Sequence, residues 1–187
     1  ANALTGRFFM ALKKVCDFEI ITLSGGVKEN VIPKDAAFSL LVSPADLSVV
    51  EKELADFNAQ IAAEYAAADP NATLVMASAG AADAYVLDND SMAKLITALN
   101  LMPNGVQAMC IDLPGLVETS LNMGVVRLSE DNLQISLSIR SSVATAKEYI
   151  IDKVTQLAIF LGGTVSSSGA YPAWPLARES KFREQCV

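Results

Sequence analysis

Across residues 119–142 apolar and polar side chains alternate with a period of two, on either side of the charged turn Ser129-Glu130-Asp131-Asn132. This predicts a β-hairpin with one face in a core. On its second strand Leu133, Ile135, Leu137 and Ile139 take the apolar face, and Gln134, Ser136, Ser138 and Arg140 the polar one. On the first, Leu121, Met123 and Val125 share the apolar parity, which leaves Ser120, Asn122 and Gly124 on the polar side. A three-residue loop over Glu130 to Asn132 pairs Ser129 with Leu133, and hence Asn122 with Arg140.

The same patterns organise the rest of the chain. Leu4, Phe8, Leu12 and Val15 stand at helical spacing, and a strand follows over 18–24. Gly25-Gly26 allows a turn or bulge, 27–34 is a connection containing Asn30, and 36–43 reads as a strand apolar, and therefore covered, on both faces. Ser43-Pro44-Ala45-Asp46 is a helix start, continued by the stripe Leu47, Val50, Leu54, Phe57, Ile61 and Tyr65. Residues 73–79 read as a further strand. In the second half Asp88-Asn89-Asp90 offers caps for a helix with Met92, Leu95, Leu99 and Met102 inside, stopped by Pro103-Asn104-Gly105. A connection turning at Pro114-Gly115 leads into the hairpin. Ser142 then caps a helix with the stripe Val143, Ala146, Ile150, Val154, Leu157 and Leu161, ended by Gly162-Gly163 before a last strand over 164–168. Tyr171 and Trp174 are expected to pack at the exit of that strand.

Each half reads helix, strand, strand, helix, strand, with Lys52-Glu53 in one long helix matching Lys147-Glu148 in the other. The fold class this predicts is α/β in the α+β sense. It consists of two tandem ferredoxin-like (split βαββαβ) units, each an antiparallel sheet with helices on one face. The first unit, 1–80, lacks its leading strand; the second spans 81–174; 175–187 begins a further segment. A unit one strand short leaves unpaired backbone at a sheet edge. The expectation is a chain cut from a longer protein, or one that pairs this edge with another chain.

Composition narrows the functions. The net charge is −7 with no basic run, which argues against nucleic acid. No window reaches the roughly 18 unbroken apolar residues of a membrane span, and no basic-then-apolar leader opens the chain, so a cytoplasmic protein without membrane contact is expected. Cys16, Cys110 and Cys186 are odd in number and widely spaced, which speaks against disulfides or structural zinc. Histidine is absent, so neither Ser-His nor Cys-His catalysis can be built from this chain alone.

Among candidate sites, Arg140 is the one charge on an otherwise neutral strand face, and a guanidinium there can form a fork with a carboxylate or simply keep the face soluble. Asn122 is a ligand or a polar filler on a wet face. Asn30 offers a donor and an acceptor, or satisfies its own loop backbone. Asp88 and Asp90 suit helix caps better than a metal, since the further oxygen ligands of a calcium loop are missing. Neither Gly-Gly pair has the pattern of a phosphate loop.

Four ordered motifs, GGVKENVIPKDA, PGLVETSLNMGVV, SLSIRSS and SGAYPAW, resemble the inserted lid domain of the aminoacyl-histidine dipeptidases, also called peptidase D or Xaa-His dipeptidases. The resemblance spans essentially the whole chain. It implies a lid that closes over a dipeptide, mediates homodimerisation, and is joined to a catalytic domain absent here, whose two zinc ions act in hydrolysis. It assigns Asn30 to contact with the substrate or the tetrahedral intermediate, and Arg140 to the substrate's free C-terminal carboxylate; Asn122 is the third candidate substrate-binding residue. The family's metal-binding histidines and acids, its catalytic glutamate and a lid histidine have no counterpart in this sequence. The resemblance therefore implies no catalytic residue, no metal ligand and no cofactor in this chain, and no activity of the chain alone. The alternative is a stand-alone ferredoxin-like regulatory or oligomerisation module.

Overall fold

The computed structural model describes residues 1–80, 84–174 and 181–186. In chain order the elements are α1 (Asn2–Leu12), β1 (Phe18–Gly25), β2 (Ala36–Val42), a short 3-10 turn (Pro44–Asp46), α2 (Leu47–Glu64), α3 (Asn89–Leu101), β3 (Gly105–Met109), β4 (Val117–Leu128), β5 (Leu133–Ser141), α4 (Ala144–Phe160) and α5 (Lys181–Cys186). All ladders are antiparallel, and they form one five-stranded sheet.

β4 is the strand on which the sheet is built. Along one edge it pairs with β5 over nearly its full length; its other edge is shared between β3 near the start and β1 near the end. The apolar parity residues Phe18, Ile20, Leu23, Leu121, Met123 and Val126 turn to one face. There they meet Phe8, Phe9 and Leu12 of α1, Val50, Phe57 and Ile61 of α2, Leu95 and Leu99 of α3, and Ile150 and Val154 of α4 in a single core. The Phe9 ring is wholly buried and stands edge-on to Phe38 at 4.8 Å, with Phe18 at 6.0 Å. The α+β class and the antiparallel sheet with packed helices agree with the sequence pattern.

Some expected elements are placed differently. Residues 73–79 join no ladder among the described residues, because a helix side chain meets their backbone instead. Asn58 of α2 accepts from the Leu74 amide at 2.8 Å and donates to the Leu74 carbonyl at 2.8 Å. Val75 is left 82 % exposed. Residues 164–168 likewise join no described ladder, after Gly162 turns the chain at φ +82. The strand β3 occupies part of what reads as a connection. β2 is covered on one face only, with Ala37 and Ser39 exposed. Tyr171 and Trp174 are 63 % and 89 % exposed rather than packed; their segment is tied to α4 through Lys147 Nζ, which donates to the Tyr171 carbonyl at 2.7 Å. The N-cap of α4 is Val143 and not Ser142, with Ser141 Oγ accepting from the Val143 amide at 3.0 Å.

Candidate functional site

The site is built on the open face of β4 and β5. The hairpin closes with a Ser129 N–H to Asn132 carbonyl bond at 2.9 Å, so Leu128, not Ser129, faces Leu133. Further along, the register slips between Met123 and Val125, leaving Gly124 as a bulge. Arg140 consequently faces Ser120, and Asn122 faces Ser138, so the expected direct Asn122–Arg140 pair is corrected to a diagonal one. Diagonal neighbours of this kind lie about 7–8 Å apart, still within reach of a long side chain. The bulge also inverts parity beyond it: Val126 enters the core, Val125 does not, and Arg127 joins Asn122 and Ser120 on the open face.

The bulge has a tertiary cause. The loop 26–35, closed by a Gly26 N–H to Asp35 carbonyl bond at 3.1 Å, lies against β4 with backbone on backbone. A Cβ at Gly124 would overlap the Glu29 main chain, and one at Gly26, whose φ is +72, would overlap the Gly124 carbonyl. On the other edge of β4, in the gap between the β3 ladder, which reaches Leu121, and the β1 ladder, which begins at Val126, two asparagines satisfy the backbone. Asn104 Oδ1 accepts from the Met123 amide at 2.9 Å, and the buried Asn2 Nδ2 donates to the Met123 carbonyl at 3.0 Å.

Asn30 sits exposed in this loop. Asn122 Nδ2 donates to the carbonyls on either side of it, those of Glu29 at 3.2 Å and of Val31. Arg127 grips the stem, with Nη1 donating to the Gly25 carbonyl at 3.0 Å and Nη2 to that of Gly26 at 2.7 Å. The fold thus brings Asn30, Asn122 and the exposed Arg140 to one face from two distant stretches of sequence. Arg127, Asn2 and Asn104 are parts of this arrangement that the pattern reading did not single out. The one signal for them was a glycine inside a strand, which marks a bulge or a close backbone approach.

Asp88 is a cap: its Oδ1 accepts from the amides of Asp90 at 2.9 Å and Ser91 at 3.0 Å, and its Oδ2 from Ser91 Oγ at 2.6 Å. The Ser91 hydroxyl bond and these amide bonds hold its carboxyl below the ordinary aspartate range. Burial pushes the Cys16 thiol up, the opposite of an activated nucleophile. Among the described residues no group of three or more acidic or cysteine side chains is placed to hold a metal ion, and the chain has no histidine.

This mixed sheet-and-helix fold is similar to parts of proteins named as dipeptidases. Over 174 residues the chain is 32% identical to the cytosol non-specific dipeptidase of Escherichia coli (strain K12), a match covering 93% of this chain and 36% of that protein. The crystal structure of the aminoacylhistidine dipeptidase from Vibrio alginolyticus matches with a TM-score of 0.92 at 27% identity, over 98% of this chain and 37% of that one. No protein-family model matches. The chain is therefore homologous to one part of the peptidase D-type dipeptidases, and it spans little more than a third of the length of these relatives.

Proposed function

We propose that this chain acts as the lid and dimerisation domain of a cytosolic zinc dipeptidase hydrolysing Xaa-His-type dipeptides. The observation that carries this reading is that the loop holding Asn30 packs on the same sheet face that carries Asn122 and Arg140, in a chain similar to part of a dipeptidase. In this role the Arg140 guanidinium receives the dipeptide's C-terminal carboxylate as a two-pronged fork, which selects for a free C-terminus. Asn30 offers its amide to the scissile carbonyl oxygen or to the charge that develops there. The zinc ions and the base belong to a catalytic domain outside this chain, and no residue here is assigned to them. Self-association draws support from β2 and β5, each paired along one edge only among the described residues.

The test is made in the full-length dipeptidase. Arg140→Ala should raise KM for dipeptides by roughly 10- to 100-fold, since a hydrogen bond to a charged group contributes about 1.5–3 kcal/mol. C-terminally amidated dipeptides should be little affected. Equal losses on both would assign Arg140 a structural role instead. The chain by itself, supplied with zinc and an Xaa-His dipeptide, should show no turnover; hydrolysis at the rate of the full-length enzyme would overturn the lid reading.

A further inference from the structure

We propose that Asn122 and Arg127 form a two-point latch that positions the Asn30 loop, and that Asn122 is a positioning residue rather than a substrate ligand. The inference deepens the function proposed above and rests on it for its catalytic consequence. An asparagine amide has two N–H donors. In Asn122 both are committed, one to the Glu29 carbonyl and one to that of Val31, so the loop is held at the residues flanking Asn30. What remains is Oδ1, an acceptor, which cannot bind a carboxylate. Arg127 fixes the other end of the same loop through the Gly25 and Gly26 carbonyls. Gly124 lies between these two points in β4, and its missing side chain is the slot into which the loop backbone fits. Both latch residues stand on β4, and β4 is laddered to β5, which carries Arg140. The latch therefore ties the position of Asn30 to that of the carboxylate fork through a single strand pair. A side chain acting this way raises turnover by orienting a reacting group, with little change in ground-state binding.

The experiment combines hydrogen exchange and kinetics in the full-length dipeptidase. Asn122→Asp keeps the shape but turns an oxygen toward two carbonyl oxygens. It should speed exchange of the loop's two hydrogen-bonded amides, Gly26 and Val31, by at least about tenfold, the equivalent of about 1.4 kcal/mol out of the two hydrogen bonds removed, and leave the β4–β5 ladder amides unchanged. It should lower kcat by about tenfold while KM moves less than about twofold. Arg127→Met should act in the same direction, and Arg127→Lys, which can still donate to one carbonyl, should restore part of the loss. Ser138→Ala, opposite Asn122, should do neither. Unchanged exchange in the loop, or a rise shared equally by the ladder, would overturn the latch. Faster loop exchange with unchanged kcat would leave the latch standing and overturn instead the catalytic role proposed for Asn30.

Discussion

Gly124 shows how much one missing side chain decides. The main chain of Glu29 occupies the space a Cβ would fill, so Gly124→Ala must push the loop off the strand or bend the strand away. Backbone does not yield as a flexible side-chain tip does. We expect the substitution to cost roughly 2 kcal/mol, within the range for overpacking. In a thermal melt this is a fall of about 4–8 °C for a chain of this length. Substitution at Gly115, whose surroundings are open, is strained only by its φ of +86 and should cost less. A Gly124→Ala melt equal to that of the parent would show that the loop does not seat on β4. The bulge also explains why the hairpin register was only partly legible. Alternation along β5 places Arg140 on the polar face correctly. The slip at Gly124 goes with the seating of the loop 26–35, far earlier in the chain, and the alternation along β4 does not contain it; a glycine inside the strand is its one local sign.

At the scale of elements, legibility follows the range of the interactions. Helices close their own hydrogen bonds, so the 3.6-residue stripe suffices: Met92, Leu95 and Leu99 lie buried in α3 as their spacing requires, and Asp88 caps it. Strands need a partner, and the segment 73–79 has strand-like residues but finds the side chain of Asn58 instead. Its pattern reads as a strand, yet it joins no ladder among the described residues and Val75 faces out. The cap of α3 also makes a pH prediction. Asp88 is held below the ordinary aspartate range, chiefly by Ser91, so the ionised form is favoured in the folded state. Its contribution is therefore fully present above about pH 3.9, the unperturbed aspartate value, and is lost as pH falls through the lower folded value. Asp88→Ala should melt at a lower temperature than the parent at pH 7, and the gap should narrow below that point. A gap that widens on acidification would contradict the cap.

At the scale of the whole molecule the sheet and the core run through both halves of the chain. Ser24 and Gly25 of β1 pair with Arg127 and Val126 of β4, α1 packs on α3, and the one core collects side chains from all four long helices. Phe9 lies at its centre, fully buried between Phe18 and Phe38. Truncating it removes contacts on both sides of a ring that has no solvent face, and Phe9→Ala should cost about 3–5 kcal/mol. That corresponds to a fall in Tm of roughly 6–20 °C. Because the core is shared, loss of structure in α2 and in α4 should remain coincident in the variant, as in a two-state unfolding. Amide exchange read separately in the two helices during a denaturant titration gives the answer. If α2 opens well before α4, the two halves fold as separate units that merely touch; if both open together, the alignment of Asn30 from the first half with Arg140 from the second depends on the stability of the whole.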